Sequence, residues 1–185
     1  AKARARIAAG DLESALSIHK QEQERAPDSA DAALALGDLY TRKGQTEEAK
    51  RQYELFESLE RTNAAAENDW HHLVYFWADH NQNLDEALRL ARRAREARRD
   101  IYTCDALAWT LFKQGQLTEA KASIDEAMRL GTRDARILYH AGMIYNEIGD
   151  YQKAAKYLKL ALETNASFDV LQAETAHRVL NAINV

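Results

Sequence analysis

The stretch GDYQKA at residues 149–154 decides how this chain is to be read, because it has four earlier echoes: GDLESA at 10–15, GQTEEA at 44–49, NLDEA at 83–87 and GQLTEA at 115–120. Each ends on an alanine, at Ala15, Ala49, Ala87, Ala120 and Ala154. The recurrence, at a period of about 34 residues, is the mark of stacked helix pairs, since one pair cannot bury its apolar face alone.

Working outward from each echo, the preceding segment carries an apolar residue, then Leu or Ala, then a small or slim residue, then a large one. The sets are Ala33, Leu36, Gly37 and Tyr40; Trp70, Leu73, Val74 and Trp77; Cys104, Leu107, Ala108 and Leu111; and Leu138, Ala141, Gly142 and Tyr145. Spacings of three, one and three place them on one helical stripe, the face that meets neighbouring helices. The following segments carry a second stripe: Ala49, Tyr53 and Phe56; Ala120, Ile124 and Ala127; Ala154, Leu158 and Ala161. Gly10, Gly44, Gly115 or Gly149 stands between the helices of a pair, where the chain reverses through a left-handed backbone position. One repeat has Asn81-Gln82-Asn83 there instead, and asparagine is the next best residue for that conformation.

The arrangement resembles the tetratricopeptide repeat (TPR) family, whose W-x2-L-G-x2-Y pattern is approached by Trp70 through Trp77 and by Leu138 through Tyr145, the latter followed by Ala154 and Ala161. The resemblance implies an all-α right-handed superhelix of stacked antiparallel helix pairs. It spans 1–185 as a single solenoid: a partial repeat at about 1–29, repeats at 30–66, 67–100, 101–134 and 135–168, and a capping helix at about 169–184. Two departures stand out. Only Pro27 remains of the prolines expected between repeats, and Gly37 to Val74 spans 37 residues where the next two steps span 34 each. The surplus falls at 60–69, which predicts a longer second helix or loop and a local change of pitch. Residues 1–9 read as a first helix without its opening turn, so the array is expected to continue upstream. In the capping segment, Leu171, Ala176, Val179, Leu180 and Ile183 should face the last repeat, with Gln172, Glu174 and Arg178 toward water.

In this family the concave wall is built from the first helices. The resemblance therefore implies a binding groove lined by Asp38, Tyr75, Trp109 and Met143, just after the small positions, and by Leu34, His71, Asp105 and Tyr139, three before them. Tyr102, Arg136 and His140 should lie nearby, with Arg42, Phe112, Lys113 and Asn146 toward the far edge. Aromatic and apolar side chains on such a wall mark a docking surface, with Trp109 and Tyr139 expected to be open to it. Some members grip a C-terminal carboxylate with basic and amide side chains. Leu34 offers no donor and Asp38 and Asp105 would repel that ligand, so a chaperone-tail clamp is not expected.

The remaining chemistry is sparse. All seven glycines have structural positions, which leaves none for a phosphate loop. His71 and His72 are adjacent and point to different sides of a helix, and no cysteine cluster joins them, so no metal is expected. Cys104, the one cysteine, stands at a core position. Arg89, Arg92, Arg93, Arg95, Arg98 and Arg99 crowd one second helix and read as a solvated flank. With a formal net charge of −4, no nucleic acid partner is expected. No apolar run reaches the ~20 residues that a membrane span needs, so no membrane insertion is expected. No nucleophile–base pair or cofactor motif is evident, so neither catalysis nor a cofactor is expected. The expected function is a protein-interaction scaffold that holds a peptide or partner segment in the concave groove. The alternatives are a connecting or regulatory arm of a larger enzyme or of a secretion or assembly complex, or self-association through exposed repeat ends.

Overall fold

Five of the helices begin where a short polar side chain satisfies an amide that the first turn leaves bare. Asp11, Ser29, Asp100, Asp134 and Asp150 accept such bonds from Ser14, Ala32, Tyr102 with Thr103, Arg136 with Ile137, and Lys153. In this computed structural model, which describes residues 2–67 and 69–183, the ordered elements are eleven helices. Residues 1, 68, 184 and 185, which the expected domain bounds include, lie outside the described residues.

The helices are α1 (Lys2–Ala8), α2 (Leu12–Arg25), α3 (Ala30–Arg42), α4 (Thr46–Glu67), α5 (His71–Asp79), α6 (Leu84–Ala97), α7 (Ile101–Lys113), α8 (Leu117–Met128), α9 (Ala135–Glu147), α10 (Tyr151–Thr164) and α11 (Gln172–Ala182). This is the expected all-α class of paired helices. The chain forms two compact units, one of residues 1–69 with 169–171 and one of residues 70–168 with 172–185.

In the first unit, Ile7, Ala15, Leu16, Leu36, Leu39, Tyr40 and Ala49 form the core, with Leu12, Tyr53 and Val170 packed against it. The surplus residues are absorbed by α4, which runs 22 residues where α2, α6 and α10 run 14. Gly37 meets Tyr53 so closely that a Cβ there would lie 2.3 Å from its Cε1.

In the second unit, Cys104, Ala108 and Leu111 of α7 pack with Ala120, Ile124 and Ala127 of α8 and with Ile137, Ala141 and Ile144 of α9. Burying each large aliphatic here contributes roughly 1.5–3 kcal/mol. Gly142 lets α9 and α10 meet: a Cβ would stand 2.6 Å from Leu158 Cγ and 3.2 Å from its backbone nitrogen. Asn81 and Asn83 turn α5 into α6 at φ of 53° and 44°, in the place the other repeats give to glycine.

The capping helix differs from its expected form. It starts at Gln172, after a stretch at 166–171 that follows the extended C-cap Asn165. Ala173 and Ala176 are buried as its inner face, but so is Gln172, which had been assigned to water. Gln172 stands one turn before Ala176 and so shares its face, while Leu171 precedes the helix. Helix α5 is also short, at nine residues, and its cap residue Trp70 offers no side-chain acceptor.

Candidate functional site

The first helices of the second unit are α5, α7 and α9, and α7 packs against both of the others. Three residues from these three helices meet at its centre. The Tyr75 hydroxyl donates to Asp105 Oδ2 at 2.8 Å and approaches the Tyr102 carbonyl at 3.2 Å. His140 Nδ1 lies 3.0 Å from both Asp105 carboxylate oxygens. Asp105 and His140 are fully buried, and the Arg136 guanidinium sits 5.2 Å over the Tyr75 ring. Burial, and then the Asp105 carboxylate, push the Tyr75 phenol well above its ordinary range.

A second group flanks the first. The Trp109 indole stacks on His140 at 4.1 Å and on Phe112 at 4.9 Å, and Tyr139 meets it at 5.7 Å. Trp109 Nε1 donates to Asp79 Oδ1 at 2.7 Å. Gln172 Nε2 donates to the same oxygen at 2.6 Å, and the Phe168 ring lies 5.4 Å from that of Tyr139. Lys113 Nζ sits 4.9 Å over the Trp109 ring; burial lowers its affinity for a proton, with Asp79 acting in the opposite direction.

These contacts correct the expected exposure. Trp109 and Tyr139 are only 2% and 3% exposed, not open to a groove. Tyr75, Asp105 and His140 are buried too, their polar atoms turned to one another. The accessible members are Tyr102, at 56%, and His71, which is exposed, with Arg136 and Met143 half-buried. In the first unit Asp38 is half-buried and accepts the Tyr53 hydroxyl at 2.9 Å.

His71 and His72 do not diverge: their rings meet at 3.9 Å on the surface. The arginines of α6 are less available to anions than their number suggests. Arg89 pairs with Glu86 within the helix, while Arg92 and Arg95 reach Glu119 and Glu126 on α8. Cys104 is buried as expected.

Residues Asp79, Phe168 and Gln172 were missed. Asp79 stands five residues after the small position of its repeat, where Lys113 stands in the next one. That periodic equivalence was available, whereas the reach of Phe168 and Gln172 to this wall was not.

Two tetratricopeptide repeat profiles match the chain, over residues 106–169 and 6–68. Among solved structures, similarity extends to PilW, a type IV pilus biogenesis factor, at 13% identity and TM-score 0.55, over 98% of this chain and 86% of that one. Pseudomonas aeruginosa PilF is 16% identical with TM-score 0.50, over 98% and 89%. A thermophilic TPR protein of Thermus thermophilus is also 16% identical with TM-score 0.50, over 94% and 93%. At these identities the likeness is one of fold. A comparison with curated proteins returns no match.

Proposed function

Because the chain belongs to the tetratricopeptide repeat family, whose members are generally protein-interaction scaffolds, we propose that it is a non-catalytic scaffold binding a peptide segment of a protein partner on the α5–α7–α9 wall. The observation that carries this reading is Tyr102. It is a large aromatic, 56% exposed at the start of α7, and its carbonyl is tied to Tyr75, over which Arg136 lies. An exposed amphipathic ring on a helix whose neighbour carries a guanidinium is the composition that binding hot spots favour. Met143 and His71 extend the accessible surface on the neighbouring helices.

The test is affinity capture with the intact chain against a Tyr102→Ala, Arg136→Ala double variant of equal melting temperature. Loss of a hot spot worth about 2 kcal/mol weakens capture about 30-fold. Undiminished capture by the variant removes this wall as the docking surface.

A further inference from the structure

Arginines from two links of the second unit gather around a single acid. Arg95, near the end of α6, is ion-paired with Glu126 of α8. Arg129 Nη2, at the end of α8, lies 3.5 Å from the carbonyl oxygen of Arg99 in the link from α6 to α7. The Arg95 hydrogen bond holds the Glu126 carboxyl below its usual range, and Arg99 and Arg129 act on it in the same direction. Three guanidinium groups thus bear on one carboxylate that is already bound. Two other acids of these links are turned to backbone: Asp100 accepts the amides of Tyr102 and Thr103, and Asp134 those of Arg136 and Ile137. The remaining acid, Glu96, precedes the first link on α6. Arg99, Arg129 and Arg133 are exposed, and none forms an ion pair among the described residues. Apolar surface accompanies the charge. Leu130, next to Arg129, is 74% exposed, and Tyr102, three residues after Arg99, is the 56% exposed ring of the wall. Arginine and tyrosine beside an uncovered leucine are the make-up of an interface.

We propose that the edge formed by the α6–α7 and α8–α9 links continues the docking surface of Tyr102 and takes an acidic segment of the protein partner, its carboxylates on Arg99 and Arg129 and an apolar side chain on Leu130. The proposal rests on the docking reading above and adds the partner's chemistry. A carboxylate is the fitting group because a guanidinium offers it two parallel N–H donors. Nucleic acid fits less well, since a phosphate backbone calls for a continuous run of cations, and here the acids of both links stand between the arginines.

The probe is a fluorescein-labelled peptide of alternating Glu, Asp and Leu, titrated by anisotropy against the whole chain at low salt. An Arg99→Gln, Arg129→Gln variant is expected to bind it about tenfold more weakly, and Leu130→Ser should also weaken it. A Lys156→Gln, Lys159→Gln variant removes the same amount of charge from α10 and should bind as the unaltered chain does. The peptide with Gln and Asn in place of its acids is expected not to bind. Absence of binding by the acidic peptide, equal weakening by both pairs of substitutions, or equal binding of the neutral peptide overturns the proposal. A single-stranded RNA of matched length that binds more tightly than the acidic peptide, and is lost with Arg99 and Arg129, overturns it in favour of nucleic acid. These outcomes are separable from the docking reading. If the acidic peptide ignores the edge while Tyr102→Ala, Arg136→Ala still weakens partner capture, only the edge is lost.

Discussion

The Trp109 indole N–H donates to Asp79 Oδ1 across 2.7 Å, joining the middle of α7 to the last residue of α5. This bond makes Trp109 a residue of the fold as well as of the wall. Removing a buried tryptophan side chain costs about 3–5 kcal/mol, so Trp109→Ala is expected to lower the melting temperature about as much as Trp77→Ala. Trp109→Phe keeps a stacked ring but deletes the donor, and should cost about 1.5–3 kcal/mol, as hydrogen bonds to charged groups do. Thermal denaturation of the three variants checks the order.

Asp105 holds two other side chains in a dry environment. Asp105→Ala leaves the Tyr75 hydroxyl only the Tyr102 carbonyl at 3.2 Å and strands the His140 Nδ1, at a desolvation cost of about 1–3 kcal/mol. The expected total loss, read from urea midpoints, is about 2–5 kcal/mol. A loss below about 1 kcal/mol would mean that water reaches the pair.

The chain should lose stability in strong alkali, and Tyr75 should account for part of the slope. Its proton is held more tightly in the folded state, because burial and then Asp105 disfavour the phenolate. Its contribution is therefore complete below about pH 10 and is lost as pH rises above the unfolded value. Each such group steepens the decline by about 1.4 kcal/mol per pH unit. Tyr75→Phe is expected to begin less stable and to fall less steeply between about pH 10 and 11.5; parallel curves refute the assignment.

Cys104 should react slowly with a thiol reagent in the native protein and rapidly after denaturation, since it is 1% exposed and burial raises its thiol above the usual range. Rapid native labelling would contradict its place in the α7–α8–α9 core.

The close approach at Gly142 predicts an overpacking penalty. Gly142→Ala drives a methyl into Leu158 and toward its backbone, which cannot rotate away, and should cost about 1–3 kcal/mol in thermal melts. An unchanged melting temperature would show that α10 can shift.

Much of this was legible in the sequence where the cause is local. The small residue at Gly142, the asparagines standing for glycine at 81 and 83, and Cys104 on an apolar stripe each follow from a period and a helical face. The burial of Trp109 was not legible, because position along α7 says which way the ring leaves the helix but not what covers it. Its cover comes from Tyr139, a repeat away, and from the partner of Gln172 on α5. Gln172 itself was misassigned because its polar type was read as solvent-facing, although it stands four residues before Ala176 on the same helical face. The pairing of Arg92 and Arg95 with Glu119 and Glu126 was hidden likewise, since neither glutamate is near them in the chain.

The Gln172–Asp79 bond separates its partners by 93 residues, whereas the Trp109–Asp79 and Tyr75–Asp105 bonds each span 30. Repeat arrays build by nearest-neighbour steps, so α5 to α10 can assemble in the order of synthesis. That one long closure has to wait until residue 172 has left the ribosome. During the interval the nascent chain displays the Trp109 indole and the Asp79 carboxylate without the Gln172 amide beside them. The wall is therefore closed last, by a residue synthesised after all three of its helices.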